Sequence, residues 1–255
     1  MKILASILIA VFFTQTASAI DQYQPGDTLY VWAGSGLVLR KSYTLNSAKL
    51  RSIPYGTMLI ARNYAGDKRT EVEAVPGFTA NGEKMPPVTL RGDFAQVIFR
   101  GDTGYVYDGY LSKMPALKRT VNPSNSKPEC EYFTVWADRC FGLVAEHHTG
   151  SGQHGDYSTG RWVYTNGMSL STWTEKSGEG RIILPDVSME EAFLMFNYFN
   201  TYEWEIQHPS GEPDDFWYFK QVSRYEWIFA NGVCGFKVIY RPEERTAFLM
   251  DECSC

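Results

Sequence analysis

Residues 29–40 read LYVWAGSGLVLR, and residues 101–111 read GDTGYVYDGYL. Apolar and aromatic residues alternate in the first stretch, which is the two-residue period of a β-strand. A Gly-Ser-Gly turn then separates this strand from a second alternating run. Further short runs follow, with a Pro-Tyr-Gly-Thr turn at residues 54–57. Residues 26–114 are therefore predicted to form a small β-barrel.

Three motifs of this region occur in the order that one known family uses. They are SGLVLR at residues 35–40, IPYGT at residues 53–57 and GDTGYV at residues 101–106. The region resembles the bacterial SH3-like (SH3b) domain, whose pattern is a Leu-x-hydrophobic-Arg strand, a Gly-Thr turn and a final Gly-Tyr/Trp-Val. The resemblance implies a non-catalytic module of an extracytoplasmic protein that recognises a cell-wall or envelope peptide.

Residues 65–92 depart from that pattern because they are longer than a simple loop of the family. Their prolines and glycines favour an exposed excursion from the barrel. A run at residues 71–75 has the composition of one strand of an extra hairpin.

Aromatic side chains supply the candidate ligand-binding groove of the predicted module. Rings offer a large contact area at a low entropic cost, which suits a shallow peptide-binding surface. The alternative is that several of them pack inside the barrel or against the next domain. The candidate residues are Tyr30, Trp32, Tyr55, Tyr105, Tyr107 and Tyr110.

The N-terminus and the charge of the chain indicate its compartment and exclude one class of partner. Residues 1–19 have the Lys2 charge, the short apolar run and the Ala-Ser-Ala end of a secretory signal peptide cleaved near Ala19. We expect a periplasmic or secreted protein, since no later segment is apolar enough to span a membrane. The net charge of -5 gives no electrostatic footprint for nucleic acid.

The rest of the chain is predicted to be a linker and a second domain. Residues 115–129 are rich in Pro, Ser, Asn and Lys and indicate a semi-rigid connector. Residues 130–255 are predicted to form an α+β domain with an antiparallel sheet, so that the whole chain is mainly β. A helix is expected at residues 131–141, and a capping box at residues 188–191 predicts a second helix that is apolar on most sides and hence buried.

All five cysteines lie in the second half of the chain. Export favours disulfides, and the odd number leaves at least one thiol unpaired within the chain. On one intact helix Cys130 and Cys140 would be about 15 Å apart and unable to bridge. A zinc site at Cys253 and Cys255 lacks a second pair at ligand spacing, so no metal is predicted.

An alternative function is a cell-wall cysteine hydrolase that uses Cys140 with a downstream histidine. The residues DRCFGLV at 138–144 loosely resemble the Asp-Cys-Ser-Gly-Phe/Leu-Val signature of such peptidases. The predicted helix argues against this, because Cys140 would close it, whereas a helix N-terminus is what lowers a thiol pKa. The downstream histidines are His147, His148, His154 and His208.

Two further groups of polar residues are interpreted as solvated surface. His147, His148, His154 and Asp156 surround a Gly-rich tip that is too flexible for a metal site. The carboxylate pairs Glu203 with Glu205 and Asp214 with Asp215 have no supporting glycosidase feature. No cofactor motif is present. The sequence thus favours an exported non-catalytic binding protein over a thiol hydrolase.

Overall fold

The computed structural model describes residues 23–80, 83–121, 128–149, 157–175, 177–199, 218–230 and 234–253. Within these residues the chain is mainly β with antiparallel sheets, which confirms the predicted class. Helices of membrane-spanning length and hydropathy are lacking in the same described ranges.

A seven-stranded sheet occupies the first half of the chain. Its order is β3-β2-β8-β7-β4-β1-β9, and the described strands do not pair β3 with β9, so hydrogen bonding leaves this sheet open. The sequence predicts a small β-barrel here, and the described strand pairing does not close into a barrel. The strands are β1 Thr28–Val31, β2 Leu37–Arg40, β3 Lys49–Ile53, β4 Met58–Val75, β7 Val88–Phe99, β8 Asp102–Tyr107 and β9 Leu111–Ser112.

The predicted turns of this half are present. Gly36 has φ +85° in the turn between β1 and β2, and its amide donates to the Ala33 carbonyl at 2.9 Å. Gly56 has φ +75° in the turn before β4. Positive φ costs least at glycine, so these residues set the register of the strands on either side. One face of the sheet buries Leu29, Val31, Leu39, Ile53, Val97 and Val106 in a core of its own.

The excursion at residues 65–92 is a long hairpin rather than a loop. The strands β4 and β7 continue to pair from Thr70↔Gly92 to Val75↔Val88, and a short pair, β5 Phe78–Ala80 with β6 Glu83–Met85, follows. The hairpin reading is confirmed. The expectation of exposure is wrong for part of the hairpin, because Val75, Val88 and Leu90 are buried in the hydrophobic core that also contains Trp136 and residues of α2.

The predicted connector contains ordered secondary structure. The strand β10 Arg119–Val121 pairs with β11 Pro128–Cys130 in a two-stranded sheet. Met114 and Leu117 lie buried in the same core as the helices of the second half. Apolar burial therefore fixes the start of this segment onto both halves of the chain.

An eight-stranded antiparallel sheet forms the second half, in the order β12-β13-β14-β15-β19-β18-β17-β16. Its described strands lie within residues 130–255, the region predicted to contain an antiparallel sheet. The strands are β12 Leu143–Thr149, β13 Tyr157–Tyr164, β14 Ser169–Glu175, β15 Ser177–Pro185, β16 Tyr218–Ser223, β17 Glu226–Ala230, β18 Cys234–Arg241 and β19 Thr246–Cys253.

Two helices accompany this sheet. α1 spans Phe133–Phe141, within the predicted residues 131–141, and Gly142 is its C-cap. Cys130 lies at the end of β11 and not on α1, so the argument that one helix separates Cys130 from Cys140 is wrong. α2 spans Met189–Phe199 and begins at the predicted capping box. There Ser188 accepts from the Glu191 amide at 3.0 Å, while Glu191 accepts from the Ser188 amide at 2.8 Å.

The two halves share one hydrophobic core. Trp32, directly after β1, and Trp136 of α1 are both fully buried, with ring centroids 6.4 Å apart in an edge-to-face contact. The same core contains Phe193 and Leu194 of α2. An interface of fully buried aromatic and aliphatic side chains holds the halves as one packed unit.

Candidate functional site

A cavity of about 320 Å³ lies where the first sheet meets α2. Its walls come from the turn between β1 and β2, from the extended part of β4, from the end of β8 and from α2. Both halves of the chain therefore contribute to it. The lining residues include Trp32, Arg40, Leu45, Val72, Tyr107, Tyr110, Phe193, Leu194 and Asn197.

Three of the six predicted groove residues line this cavity. Trp32 is fully buried, and its indole Nε1 donates to the Met114 carbonyl at 2.9 Å. Tyr107 and Tyr110 meet edge to face, with ring centroids 5.9 Å apart. These contacts leave the rings little rotational freedom, so they form a rigid apolar wall.

The Tyr107 hydroxyl forms hydrogen bonds with backbone carbonyls of the protein. It donates to the Leu90 carbonyl at 2.7 Å and lies 3.0 Å from the Thr70 carbonyl. Burial, with the charge of Asp108 as a smaller cause, raises the pKa of Tyr107 above its ordinary value. Tyr107 therefore offers the cavity its ring and not a polar handle.

The opposite wall belongs to α2. Phe193 and Leu194 are buried and line the cavity, and Asn197 follows one turn later. A helix that is apolar on most sides must bury more than one face. One face of α2 packs on β18 and β19, and the face with Leu194 covers the cavity. In the sequence, the signal for this second wall is that α2 is apolar on most of its sides.

Arg40 and Leu45 are lining residues of the cavity that solvent also reaches. Leu45 is 40% exposed, and Arg40 is half-buried. The Arg40 guanidinium donates through Nη1 to the Ser47 carbonyl at 2.9 Å, which limits its movement. Among the described lining residues Arg40 is the single charged side chain. Its charge makes the part of the cavity beside it electropositive.

The other three predicted groove residues lie elsewhere. Tyr30 and Tyr55 pack against the shared core, and the Tyr55 ring meets Trp32 edge to face at 6.4 Å. The guanidinium of Arg119 lies over the Tyr55 ring, 5.0 Å from its centroid. Tyr105 pairs instead with the exposed ring of Tyr43 at 5.8 Å. The six rings therefore do not form one continuous groove.

Glu191 ties the cavity wall on α2 to the first half of the chain. Its carboxylate is buried and accepts from the backbone amide of Lys113 at 3.1 Å as well as from that of Ser188. Burial raises the pKa of Glu191, while the hydrogen bonds from these two amides oppose the rise. The sequence predicted the bond to Ser188 but gave no signal for the bond to Lys113, which lies 78 positions away.

The thiol of Cys140 lies in the last turn of α1, the position that the sequence predicted. Burial raises the pKa of Cys140, and the nearby charge of Arg139 only partly offsets this effect. A nucleophilic cysteine requires the opposite shift. His147 and His148 lie on the edge strand β12, after the end of the helix.

Several residues considered from the sequence lie outside the described ranges. They are His154, Asp156, Glu203, Glu205, His208, Asp214, Asp215 and Cys255. Within the part of the chain that the structure describes, no group of three or more His, Cys, Asp or Glu side chains is placed to hold a metal ion.

Comparison with known proteins gives no relative from which a function can be transferred. No protein-family model matches the chain, and searches of curated proteins and of solved structures find no match.

Proposed function

We propose that this chain is an exported, non-catalytic binding protein of the bacterial cell envelope. In this proposal its first half is an SH3-like module with an open sheet, and the cavity beside α2 receives part of an envelope peptide. The support from sequence is the ordered set of motifs at residues 35–40, 53–57 and 101–106. The support from structure is the cavity, whose aromatic wall belongs to the same module.

The size of the cavity limits what it can hold. Ligand sites in proteins usually have volumes of about 300–1,000 Å³. A cavity of about 320 Å³ lies at the lower end of this range. A cavity of this size accommodates one or two side chains of a peptide. It is too small for a folded protein.

The chemistry of the walls defines the preferred peptide. Val72, Tyr110 and Phe193 line the cavity with apolar groups, while the half-buried Arg40 supplies a positive charge. A ligand that places an apolar side chain inside and a carboxylate beside Arg40 satisfies both features. We therefore favour an envelope peptide that carries a carboxylate next to small apolar residues.

The observation that carries the proposal is the placement of rigid aromatic rings from the SH3-like module around an open cavity. A protein whose rings served only to stabilise the fold would pack them without leaving such a space. The raised pKa of Cys140 agrees with a role that involves no covalent chemistry.

Co-sedimentation of the full chain with purified sacculi tests the proposal. We expect binding to intact sacculi and its loss when the wall peptides are removed enzymatically. Val72 lines the cavity from a half-buried position, so Val72→Trp fills the space with limited disturbance of the core. This variant is expected to lose at least tenfold in affinity.

Matched variants separate occupation of the cavity from a general effect. Ile98→Trp adds the same ring at a 45% exposed position of β7 outside the cavity and should bind as the wild type does. Arg40→Gln should weaken binding, whereas Arg51→Gln, which breaks only the exposed ion pair with Asp102, should not. Equal binding by Val72→Trp and the wild type, or undiminished binding to peptide-free sacculi, would contradict the proposal.

A further inference from the structure

Two cysteines of the second sheet occupy directly opposite backbone positions. β18 begins at Cys234 and β19 ends at Cys253, and the two strands are antiparallel neighbours. Their register pairs Cys234 with Cys253 at the end of the ladder. The sequence alone leaves the pairing of the five cysteines open.

The register that places them together is well fixed. It runs from Arg241↔Thr246 to Cys234↔Cys253 without a bulge. At one end the hairpin turn is closed by the Glu244 amide, which donates to the Arg241 carbonyl at 3.2 Å. Midway along, the buried residues Val238 and Leu249 stand opposite each other. A slip by one residue would move Leu249 to the other face of the sheet, so a different pairing is disfavoured.

We propose that Cys234 and Cys253 form a disulfide bond. Opposite residues in an antiparallel pair have Cα atoms about 4.5 or 5.5 Å apart, depending on the hydrogen-bonding pattern. Disulfides join Cα atoms about 4.4–6.8 Å apart, so the spacing of opposite strand positions falls within the range that the bond requires. The bond fastens the ends of two central strands of the eight-stranded sheet. This inference rests on the register and is independent of the proposed binding function.

The reaction balances with an oxidant of the disulfide class. The new Sγ–Sγ bond forms as the two thiols lose two protons and two electrons. A small disulfide such as oxidised glutathione accepts them, and its own S–S bond breaks to give two thiols. Cys140 is a free thiol in α1, on an element remote in sequence from both strands, and takes no part.

Peptide mapping of the full chain tests this bond. The protein is equilibrated in a glutathione redox buffer, its free thiols are blocked with N-ethylmaleimide, and it is digested with trypsin without reduction. We expect residues 225–237 and 246–255 to appear as one cross-linked species that separates on reduction. Cys140 should carry the blocking group. The same bond should make the melting temperature fall by about 5–10 °C when a reductant is added.

Single variants distinguish this pairing from the one with Cys255, which lies on the same tryptic peptide. The cross-linked species should persist in Cys255→Ala and in the control Cys140→Ala, and should vanish in Cys253→Ala. Loss of the species in Cys255→Ala would overturn the proposal. Full blocking of Cys234 in the wild-type protein, or a cross-link between two molecules on a non-reducing gel, would also overturn it.

Discussion

Removing the buried carboxylate of Glu191 should lower the free energy of unfolding, because this group connects the two halves of the chain by hydrogen bonds. This group accepts from the amides of Ser188 and Lys113, which belong to different halves. Glu191→Ala leaves these two part-buried N–H groups without this acceptor, at about 1–3 kcal/mol each. We expect a total loss of about 2–6 kcal/mol in the free energy of unfolding, measured by urea titration. Glu191→Gln keeps one acceptor oxygen and should lose only about 1–2 kcal/mol.

The acidity of Glu191 gives the same experiment a pH signature. Burial raises the pKa of Glu191 in the folded protein above its ordinary value of 4.5. Below pH 4.5 the carboxyl is protonated in both states, and its contribution to stability is fully present. As the pH rises from 4.5 through the folded pKa, the unfolded state releases its proton first, so the free energy of unfolding falls. Above the folded pKa this contribution is constant again.

We expect the wild type to lose stability relative to Glu191→Gln as the pH rises from 4.5 through the folded pKa of Glu191, since glutamine does not titrate. Glu244→Ala is the matched control, because Glu244 makes an exposed ion pair with Arg241. It should change the free energy of unfolding by less than about 0.5 kcal/mol. A loss below about 1 kcal/mol for Glu191→Ala, or a constant difference between wild type and Glu191→Gln at every pH, would refute the argument.

Further predictions concern a turn and a thiol. Gly101→Ala should cost about 1–2 kcal/mol of stability, since Gly101 has φ +86° with open space around it. Gly36→Ala has the same backbone penalty, and its Cβ would lie 2.8 Å from the Ile53 carbonyl oxygen, so the loss should exceed that of Gly101→Ala by about 1 kcal/mol or more in chemical unfolding. Equal losses would contradict this. The rate of Cys140 alkylation can be measured at a series of pH values by mass spectrometry of its peptide. Its rise with pH should have a midpoint above the ordinary thiol pKa, because burial raises the pKa of Cys140. A midpoint near neutral pH would favour the hydrolase instead.

Local sequence signals predicted most of the elements correctly. The turns at Gly36 and Gly56 follow from residues that tolerate positive φ, and the start of α2 follows from a capping box that is complete within four residues. Periodicity also identified the buried helix. These features depend on neighbours in the chain, so a single sequence contains the information that they require.

The cavity could not be predicted because its walls are distant in sequence. Trp32 follows β1 directly, but nothing local in the sequence shows that Trp32 shares a hydrophobic core with α2. The alternative that some rings pack at the junction with the next domain is confirmed for Trp32. Tyr105 was grouped with Trp32 as a binding residue by composition alone, and the sheet places it beside Tyr43 instead.

Methyl NMR of the full chain, titrated with soluble peptides released from sacculi, tests the binding account most directly. If a peptide binds in the cavity, chemical shifts should change at methyl groups of Val72 and Val75 in the first half and of Leu194 in the second. All three residues line the same cavity. The exposed methyl groups of Leu50 and Ile98 should stay unchanged. Shift changes confined to these exposed groups, or none at any peptide concentration, would contradict it.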